Sequence, residues 1–445
     1  MKSFFKNLHT KETIYLAWPI VITQIGHIVT GMVDNIFLGK LGAAEQAAGI
    51  LSNNFYVLLL VFGIGVSYSL TPLVTAAHEK NDLQKKASLF KNSLFLNCVI
   101  SIFCFTVLYF SSNALYFMQQ PPEVVKLAIP FYDILILSII PISVFFTCKQ
   151  YCEGLSFTRT ALVISIIGNL IKCILNYILI YGKFGLPEMG YLGSAWASFI
   201  ARTFMGILFL FVVLKSSATK EIALVFKSVK IKWTEIYNLA KTGINYGFQF
   251  TFEVAAFVIC GLMAGSFGKE QIDSHGISLS MAAFTYMFAS GISSAVTIRV
   301  GIYKAQNDWE NINKAGLTAI KLVILVMAFF CLVFLSLRNI LPLGFSNNAE
   351  IISLSSKLLV IAAMFQMFDG LQVTVIGILR GLEDAKVPTV ITLVGYWLIA
   401  LPLSYFLAFK MKWEVVGVWI ALLTSLALVA VSVYWRFKYL VNKNS

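Results

Sequence analysis

Long apolar runs separated by short polar segments make up most of the chain. Each run is long enough for an α-helix to cross the hydrocarbon core, which takes about 20 residues, whereas strands of a membrane β-barrel would alternate polar and apolar positions. We therefore predict an all-α integral membrane protein with twelve transmembrane helices. The predicted spans are 13–38, 48–77, 90–112, 124–150, 160–182, 190–214, 237–265, 276–301, 315–338, 351–379, 388–409 and 415–436.

The composition agrees with this pattern, because 58% of the 445 residues are hydrophobic and only 12% are charged. A soluble globular protein has about 25% charged residues. The net charge of +13 could by itself indicate nucleic acid. The basic residues, however, concentrate between the spans, which favours lipid headgroups as their partners and predicts no nucleic-acid binding. The seven cysteines lie in or at the ends of apolar segments, and we interpret them as small core residues.

The distribution of positive charge predicts the orientation of the chain. With the N-terminus inside, the segments between spans carry 22 Lys and Arg on the cytoplasmic side and 7 on the external side. Because Lys and Arg are enriched in cytoplasmic loops, both termini are expected in the cytoplasm. No cleavage site of small residues follows a short apolar run at the N-terminus, so the first span is expected to be retained.

The two halves of the sequence repeat each other at a nearly constant offset. The matched pairs are Gly39–Gly265, Gly42–Gly268, Gly65–Gly291, Ser67–Ser293 and Thr71–Thr297 at offset 226, and Gly154–Gly381 at offset 227. Six spans per repeat preserve the direction of every helix, so we predict two six-helix bundles related by a pseudo-two-fold axis along the membrane normal. The predicted domains are an N-terminal lobe at 1–214, a cytoplasmic linker at 215–235 and a C-terminal lobe at 236–445.

Two carboxylates fall near the middle of predicted spans, and the repeat reproduces neither. Glu253 lies about 18 Å from the outer end of its span, and Asp369 lies roughly 16 Å from the inner end of its own, at 1.5 Å per residue. Gln249 precedes Glu253 by one turn, and Gln372 follows Asp369 by three residues. Since charged groups there are costly, these acids are expected to bind a cation or a proton. The alternative is a pair of protonated acids hydrogen-bonded in the core.

A second polar group is predicted in the N-terminal half. Asp34 lies close to the outer end of the first span, where a solvated position near the mouth is the alternative. Asn169, Lys172 and Asn176 form one polar stripe of the fifth span. Lys172 is too central to reach the headgroups easily, so a carboxylate partner, Asp34 or Asp133, is expected. A lipid-facing lysine remains the alternative, and Arg202 in the sixth span is equally ambiguous.

Aromatic and methionine side chains supply candidate walls for a substrate cleft. Aromatic faces attract lipophilic cations, and methionine adapts to varied shapes. Ordinary core packing is the alternative for each. The apolar and aromatic candidates are Phe284, Tyr286 and Met287 in the eighth span, and Met364, Met367 and Phe368 in the tenth. Gln249 and Gln372 are the polar candidates for the same cleft.

Several segments resemble the multidrug and toxic compound extrusion (MATE) family, in its NorM-type branch. They are LAWPIVITQ at 16–24, VDNIFLGKLG at 33–42, GNLIKCILNYILIYG at 168–182, FQFTFE at 248–253 and DGLQVTVIGILRGLEDAKVPTVITLVGYW at 369–397.

This resemblance implies roles for individual residues. Glu253 and Asp369 match the cation-binding acids of the family's C-terminal lobe, which would hold Na⁺, and Tyr286 matches the tyrosine that contacts the cation. Asp34 matches the acid of the first helix, with Asn169 and Asn176 around it. Lys172 departs from a simple cation site, and the fifth span lacks the second acid of the proton-coupled DinF-like branch.

We therefore expect a secondary active antiporter of the plasma membrane (the bacterial inner membrane), not an enzyme, that exports amphipathic organic cations in exchange for Na⁺ or H⁺ by alternating access. It is expected to need no cofactor beyond the coupling ion and to act as a monomer. One alternative is a flippase for lipid-linked oligosaccharides, but it would need more cleft arginines and lysines for pyrophosphate. Another is an intramembrane enzyme, but no HExxH or paired-aspartate motif supports it. No Walker A motif indicates ATP as the energy source.

Overall fold

The computed structural model describes residues 8–118, 121–215, 225–226 and 228–444, with the side chains of 117 and 118 excepted. Within these ranges every regular element is helical. The first helices are α1 Leu8–Leu41, α2 Ala43–Ser67, α3 Leu70–Glu79, α4 Leu83–Phe110, α5 Pro122–Leu137, α6 Ile139–Gly154, α7 Thr158–Tyr181 and α8 Tyr191–Lys215. They are followed by α9 Trp233–Gly265, α10 Lys269–Ala305, α11 Trp309–Leu337, α12 Ala349–Gly381, α13 Lys386–Lys410 and α14 Glu414–Asn444.

All twelve predicted spans are confirmed as helices. Eleven helices of the described chain are long and apolar enough to cross a membrane, with α2 and α3 counted together as Ala43–Glu79. The twelfth span is the pair α5–α6, which is bent by 42° between Leu137 and Ile139. Several helices begin at a polar cap: Asp82 accepts a hydrogen bond from Lys85 N, and Asp308 accepts one from Asn311 N.

The chain forms two compact units. The N-unit is Ile22–Gly247, and the C-unit consists of the described residues of Met1–Val21 and Phe248–Ser445. The boundaries lie inside α1 and α9, after Val21 and Gly247, and these two positions are 226 residues apart, which is the offset of the repeat. The lobes predicted at 1–214 and 236–445 stay a prediction, because much of the linker at 215–235 lies outside the described residues.

Equivalent contacts in the two units confirm the internal repeat. In the N-unit, Thr71 Oγ1 donates a hydrogen bond to the carbonyl of Gln150 at 3.1 Å, and in the C-unit Thr297 Oγ1 donates to the carbonyl of Gly377 at 2.8 Å. One turn further along, a Cβ placed on Gly154 would lie 2.9 Å from Thr71 O, and one on Gly381 would lie 2.8 Å from Thr297 O. Glycine therefore recurs where two helices cross with their backbones in contact.

Helix α13 departs from regular α geometry in two places. It is π-helical at Val394–Ala400 and again at Phe406–Lys410. Pro402 lies between these turns and cannot donate a backbone hydrogen bond. The Ser425 hydroxyl from α14 donates to the carbonyl of Gly395 at 2.6 Å, so the first π-helical turn is hydrogen-bonded to its neighbour. π-Helical turns are rare in proteins, and those that occur are often found at functional sites.

Four basic residues that the charge count assigns to cytoplasmic segments lie within helices and are buried. Lys86 in α4, Lys149 in α6, Arg299 in α10 and Arg380 in α12 are 9%, 1%, 2% and 3% exposed. Lys149 Nζ lies 3.4 Å from Glu153, and Arg299 lies 2.8 Å from Glu12. A basic residue near the end of a span can thus be buried in protein rather than exposed at the membrane surface. The orientation of the chain stays a prediction.

Candidate functional site

A hydrogen-bonded group in the C-unit joins three helices around Glu253. The Oε1 atom of Glu253, on α9, accepts a hydrogen bond from Tyr396 Oη at 3.2 Å and a longer one from Gln372 Nε2 at 3.4 Å. Tyr396 lies on α13 and Gln372 on α12, and their side chains also hydrogen-bond to each other at 3.2 Å. Glu253 is partly buried, and both partners are buried. The structure thus brings together Glu253 and Gln372, as predicted from sequence.

Asp369 belongs to the same region of the C-unit. It lies on α12 one turn before Gln372, is 6% exposed, and is close enough to Glu253 for an electrostatic interaction. Within the described residues no hydrogen bond or ion pair reaches its carboxyl group. Gln366, one turn earlier on α12, is 1% exposed, and neither atom of its amide has a hydrogen-bond partner in the described chain. These polar groups lie on one side of α12.

Tyr396 is the residue that the sequence analysis missed. It falls in the π-helical turn of α13, and a tyrosine inside an apolar span is most simply interpreted as packing. The neighbouring Trp397 donates from Nε1 to the carbonyl of Phe252 at 3.1 Å, which fixes α13 against the residue before Glu253. The only signal in the sequence was its place in the segment 369–397, which carries the strongest family resemblance.

Tyr286, the tyrosine implied by the resemblance, lies on α10 and packs against a hydrophobic cluster of the C-unit. Its role as a cation ligand stays a prediction. Gln249 lies one turn before Glu253 and donates from Nε2 to Thr392 Oγ1 at 3.4 Å, while its amide oxygen has no partner in the described residues. It is therefore held towards α13.

The apolar residues of the predicted cleft are partly or largely exposed in the C-unit, whereas the polar candidates Gln249 and Gln372 are buried. Phe284 is 38% exposed and packs edge-on against Phe288, while Met364 is 49% exposed. Met287 is partly buried, and Phe368 packs beside a second hydrophobic cluster of the unit. Their exposure leaves them available to apolar ligands or lipid, and their lining of a substrate cleft stays a prediction.

The polar group of the N-unit is centred on Asp34 of α1. Lys172 Nζ forms an ion pair and a short hydrogen bond with Asp34 Oδ2, and Asn176 Nδ2 donates to Asp34 Oδ1 at 2.7 Å. Both donors lie on α7, so the predicted stripe faces α1. The expected carboxylate partner of Lys172 is therefore Asp34 and not Asp133. Asn169 lies one turn earlier, where a Cβ on Gly26 would come within 2.9 Å of its amide nitrogen.

Arg202 on α8 has a different environment. Its Nη1 atom donates to Ser138 Oγ at 2.6 Å, and its guanidinium lies 5.1 Å from the ring centre of Tyr56. Ser138 is the residue at the break between α5 and α6. Arg202 thus contacts protein groups at this bend. Its side chain therefore has partners within the protein and is not a lipid-facing charge.

The comparisons with known proteins identify a family and a fold for the chain. The MatE family model matches the chain twice, at residues 19–178 and 246–406, one match in each half. The chain belongs to the MatE family. The double match has the same offset as the internal repeat, within two residues. Membership of this family, which the motifs of the sequence indicated, is therefore confirmed.

Relatives align along nearly the whole chain. A probable multidrug resistance protein NorM of Mesorhizobium japonicum is 30% identical, over 96% of this chain and 93% of its own length. The multidrug resistance protein MdtK of Yersinia pseudotuberculosis is 28% identical, over 97% and 96% of the two chains. The crystal structure of the eukaryotic MATE transporter AtDTX14 superposes with a TM-score of 0.90 at 18% identity, covering 99% of this chain and 98% of its own. This structural likeness shows that the fold is shared.

Proposed function

We propose that the chain is a secondary active multidrug efflux transporter that exports amphipathic organic cations in exchange for Na⁺ or H⁺. The names of its NorM and MdtK relatives support export of drugs. The observation that carries the proposal is the pair Glu253 and Asp369 in the C-unit: two neighbouring carboxyl groups inside membrane helices, neither of them ion-paired within the described residues.

The chemistry of this pair favours ion coupling. Two carboxylates in a medium of low dielectric constant cannot both ionise without a nearby cation or a proton. Sodium prefers oxygen ligands, and the carboxyl oxygens of Glu253 and Asp369 supply them. The amide oxygen of Gln366 is a further candidate ligand, since it has no protein partner in the described residues. We infer that the coupling ion, as transported cargo, binds here.

Antiport follows if the ion and the drug favour opposite-facing states of the transporter, because a ligand shifts an equilibrium only by its difference in affinity for the two states. The positive charge at span ends supports a cytoplasmic location of both termini, so the drug would be taken up from the cytoplasm and released outside.

The proposal is tested with the purified full-length protein in liposomes. Efflux of tetraphenylphosphonium is measured under a sodium gradient alone, a proton gradient alone, and neither. We expect one gradient to drive efflux and dissipation of that gradient to stop it. Efflux that is equally fast in the absence of both gradients would contradict antiport.

A further inference from the structure

Asp34 in the N-unit is already paired with a cationic side chain, that of Lys172. Both oxygens of Asp34 are occupied by donors from α7, Oδ2 by the ammonium of Lys172 and Oδ1 by the amide of Asn176. The repeat reproduces neither member of the ion pair, because the positions at offset 226 are Cys260 and Leu398. In the C-unit, by contrast, Glu253 and Asp369 have no ion-paired base in the described residues.

Because of this difference, the carboxylates of the two units would be neutralised in different ways. A carboxylate that is paired with an ammonium needs no coupling ion for its neutralisation. Removing the ammonium alone would leave a largely buried charge without a partner, which is strongly unfavourable. A second cation can therefore bind Asp34 only by exchange, in which the ammonium of Lys172 moves away from the carboxylate as the new cation approaches it.

The geometry around Lys172 permits such an exchange. Its side chain is 12% exposed and carries its charge at the end of a flexible stem of four carbons, which can swing aside. Asn176 is fully buried, and its amide oxygen has no hydrogen-bond partner in the described chain. This oxygen belongs to the same amide that holds Asp34, so it offers a second ligand atom beside the carboxylate.

We propose that Lys172 is a tethered competitor: an organic cation binds the N-unit by displacing the Lys172 ammonium from Asp34, with the Asn176 amide oxygen as its second polar contact. Because only the fraction of molecules with a displaced lysine can bind, the apparent affinity is lowered by that fraction. If the lysine occupies Asp34 in roughly nine molecules of ten, its removal raises the apparent affinity by about tenfold. The proposed function enters only in the choice of an organic cation as ligand.

The test is equilibrium binding of radiolabelled tetraphenylphosphonium to the purified full-length protein, in sodium-free buffer between pH 6.5 and 8.5. Lys172→Met removes the ammonium but keeps most of the stem, and we expect the Kd to fall about tenfold at one or more of these pH values. Lys172→Arg retains a cation and should bind as weakly as the wild type. Lys172→Met combined with Asp34→Asn should lose the gain, because the acid that attracts the ligand is neutralised.

Several outcomes would overturn the proposal. They are an unchanged or weaker affinity of folded Lys172→Met at every pH, a gain that survives Asp34→Asn, and an equal gain in Lys172→Arg. Size-exclusion chromatography reports on folding, and Lys172→Gln, which can still hydrogen-bond to Asp34, serves if the methionine variant aggregates. The measurement uses no gradient and leaves Glu253 and Asp369 intact. A failure of ion-coupled efflux would therefore contradict the proposed function without touching this result.

Discussion

The hydroxyl of Tyr396 lies 3.2 Å from Oε1 of Glu253 and donates a hydrogen bond to it. Tyr396 belongs to a π-helical turn of α13 whose carbonyl at Gly395 is bonded by Ser425. The π-helical turn of α13 therefore places Tyr396 in direct hydrogen-bond contact with the carboxyl group of Glu253. A second contact, from Gln372, holds the same carboxylate oxygen from α12. We therefore predict that Tyr396 positions the carboxyl group of Glu253.

Replacing Tyr396 by phenylalanine tests this role. Loss of a residue that orients an ion ligand typically costs 10- to 100-fold in ion affinity, so we expect the concentration of coupling ion that gives half-maximal efflux to rise by about tenfold or more. The maximal rate should change less. Tyr405→Phe on the same helix, where the side chain is 50% exposed, is the matched control. A Tyr396→Phe variant with a lower melting temperature but unchanged ion dependence would indicate a packing role alone.

Neutralising the acids tests the assignment of the ion site. Glu253→Gln and Asp369→Asn keep the shape of each side chain and remove its charge, so both should abolish ion-coupled efflux while the protein still folds and inserts. Asp34→Asn should impair transport without loss of ion binding, because Asp34 is neutralised by Lys172. Sodium binding and efflux are measured for each purified variant. Full sodium-coupled transport by both C-unit variants would make the site wrong and Asp34 the leading candidate.

Much of this architecture could be predicted from the sequence because its causes are local. A span of about 20 apolar residues can only cross a bilayer as a helix, and an internal repeat leaves a constant offset. A carboxylate partner of Lys172 could be predicted, with Asp34 and Asp133 as the candidates, because a charge inside a membrane needs a partner. Tyr396 could not be found, since a hydrogen bond between distant helices and a π-helical turn leave no periodic signal. The burial of Lys149 beside Glu153 was missed because a count of charges does not show which of them are buried.

The ion pair of the N-unit predicts non-additive mutations. Lys172→Met leaves Asp34 without its cation, and Asp34→Asn leaves Lys172 without its anion, so each should lower transport and the melting temperature. The double variant removes both charges and should do less harm than the two single effects added. Transport rates and thermal unfolding of all four proteins, at one protein concentration, give the coupling. Strictly additive losses would favour a lysine that contacts lipid.

The orientation of the chain is testable by labelling. A single cysteine at Ser228, in a variant without the seven native cysteines, should react with an impermeant maleimide only after the cells are opened, because the segment between α8 and α9 is expected in the cytoplasm. A cysteine at Lys183, between α7 and α8, should react from outside and serves as the control. Labelling of position 228 in intact cells would reverse the predicted topology.

The helix crossings at Gly154 and Gly381 predict that alanine at either glycine destabilises the protein to a similar extent. A Cβ at Gly154 or Gly381 would lie 2.9 or 2.8 Å from the carbonyl oxygen of Thr71 or Thr297, closer than real Cβ contacts allow. Backbone atoms cannot move aside as a flexible side chain can, so alanine at either position should cost about 1–3 kcal/mol of stability by overpacking.

The control for these two substitutions is Gly276→Ala. Gly276 lies within α10, and a Cβ there would meet nothing within 4 Å. Alanine is about 0.5–1 kcal/mol better than glycine inside a helix, so this variant should be as stable as the wild type or more stable. Thermal unfolding of the three detergent-purified variants makes the comparison. A loss at Gly154 without one at Gly381 would show that the two crossings are not energetically equivalent, although their geometry is the same, and would confine the constraint to the N-unit.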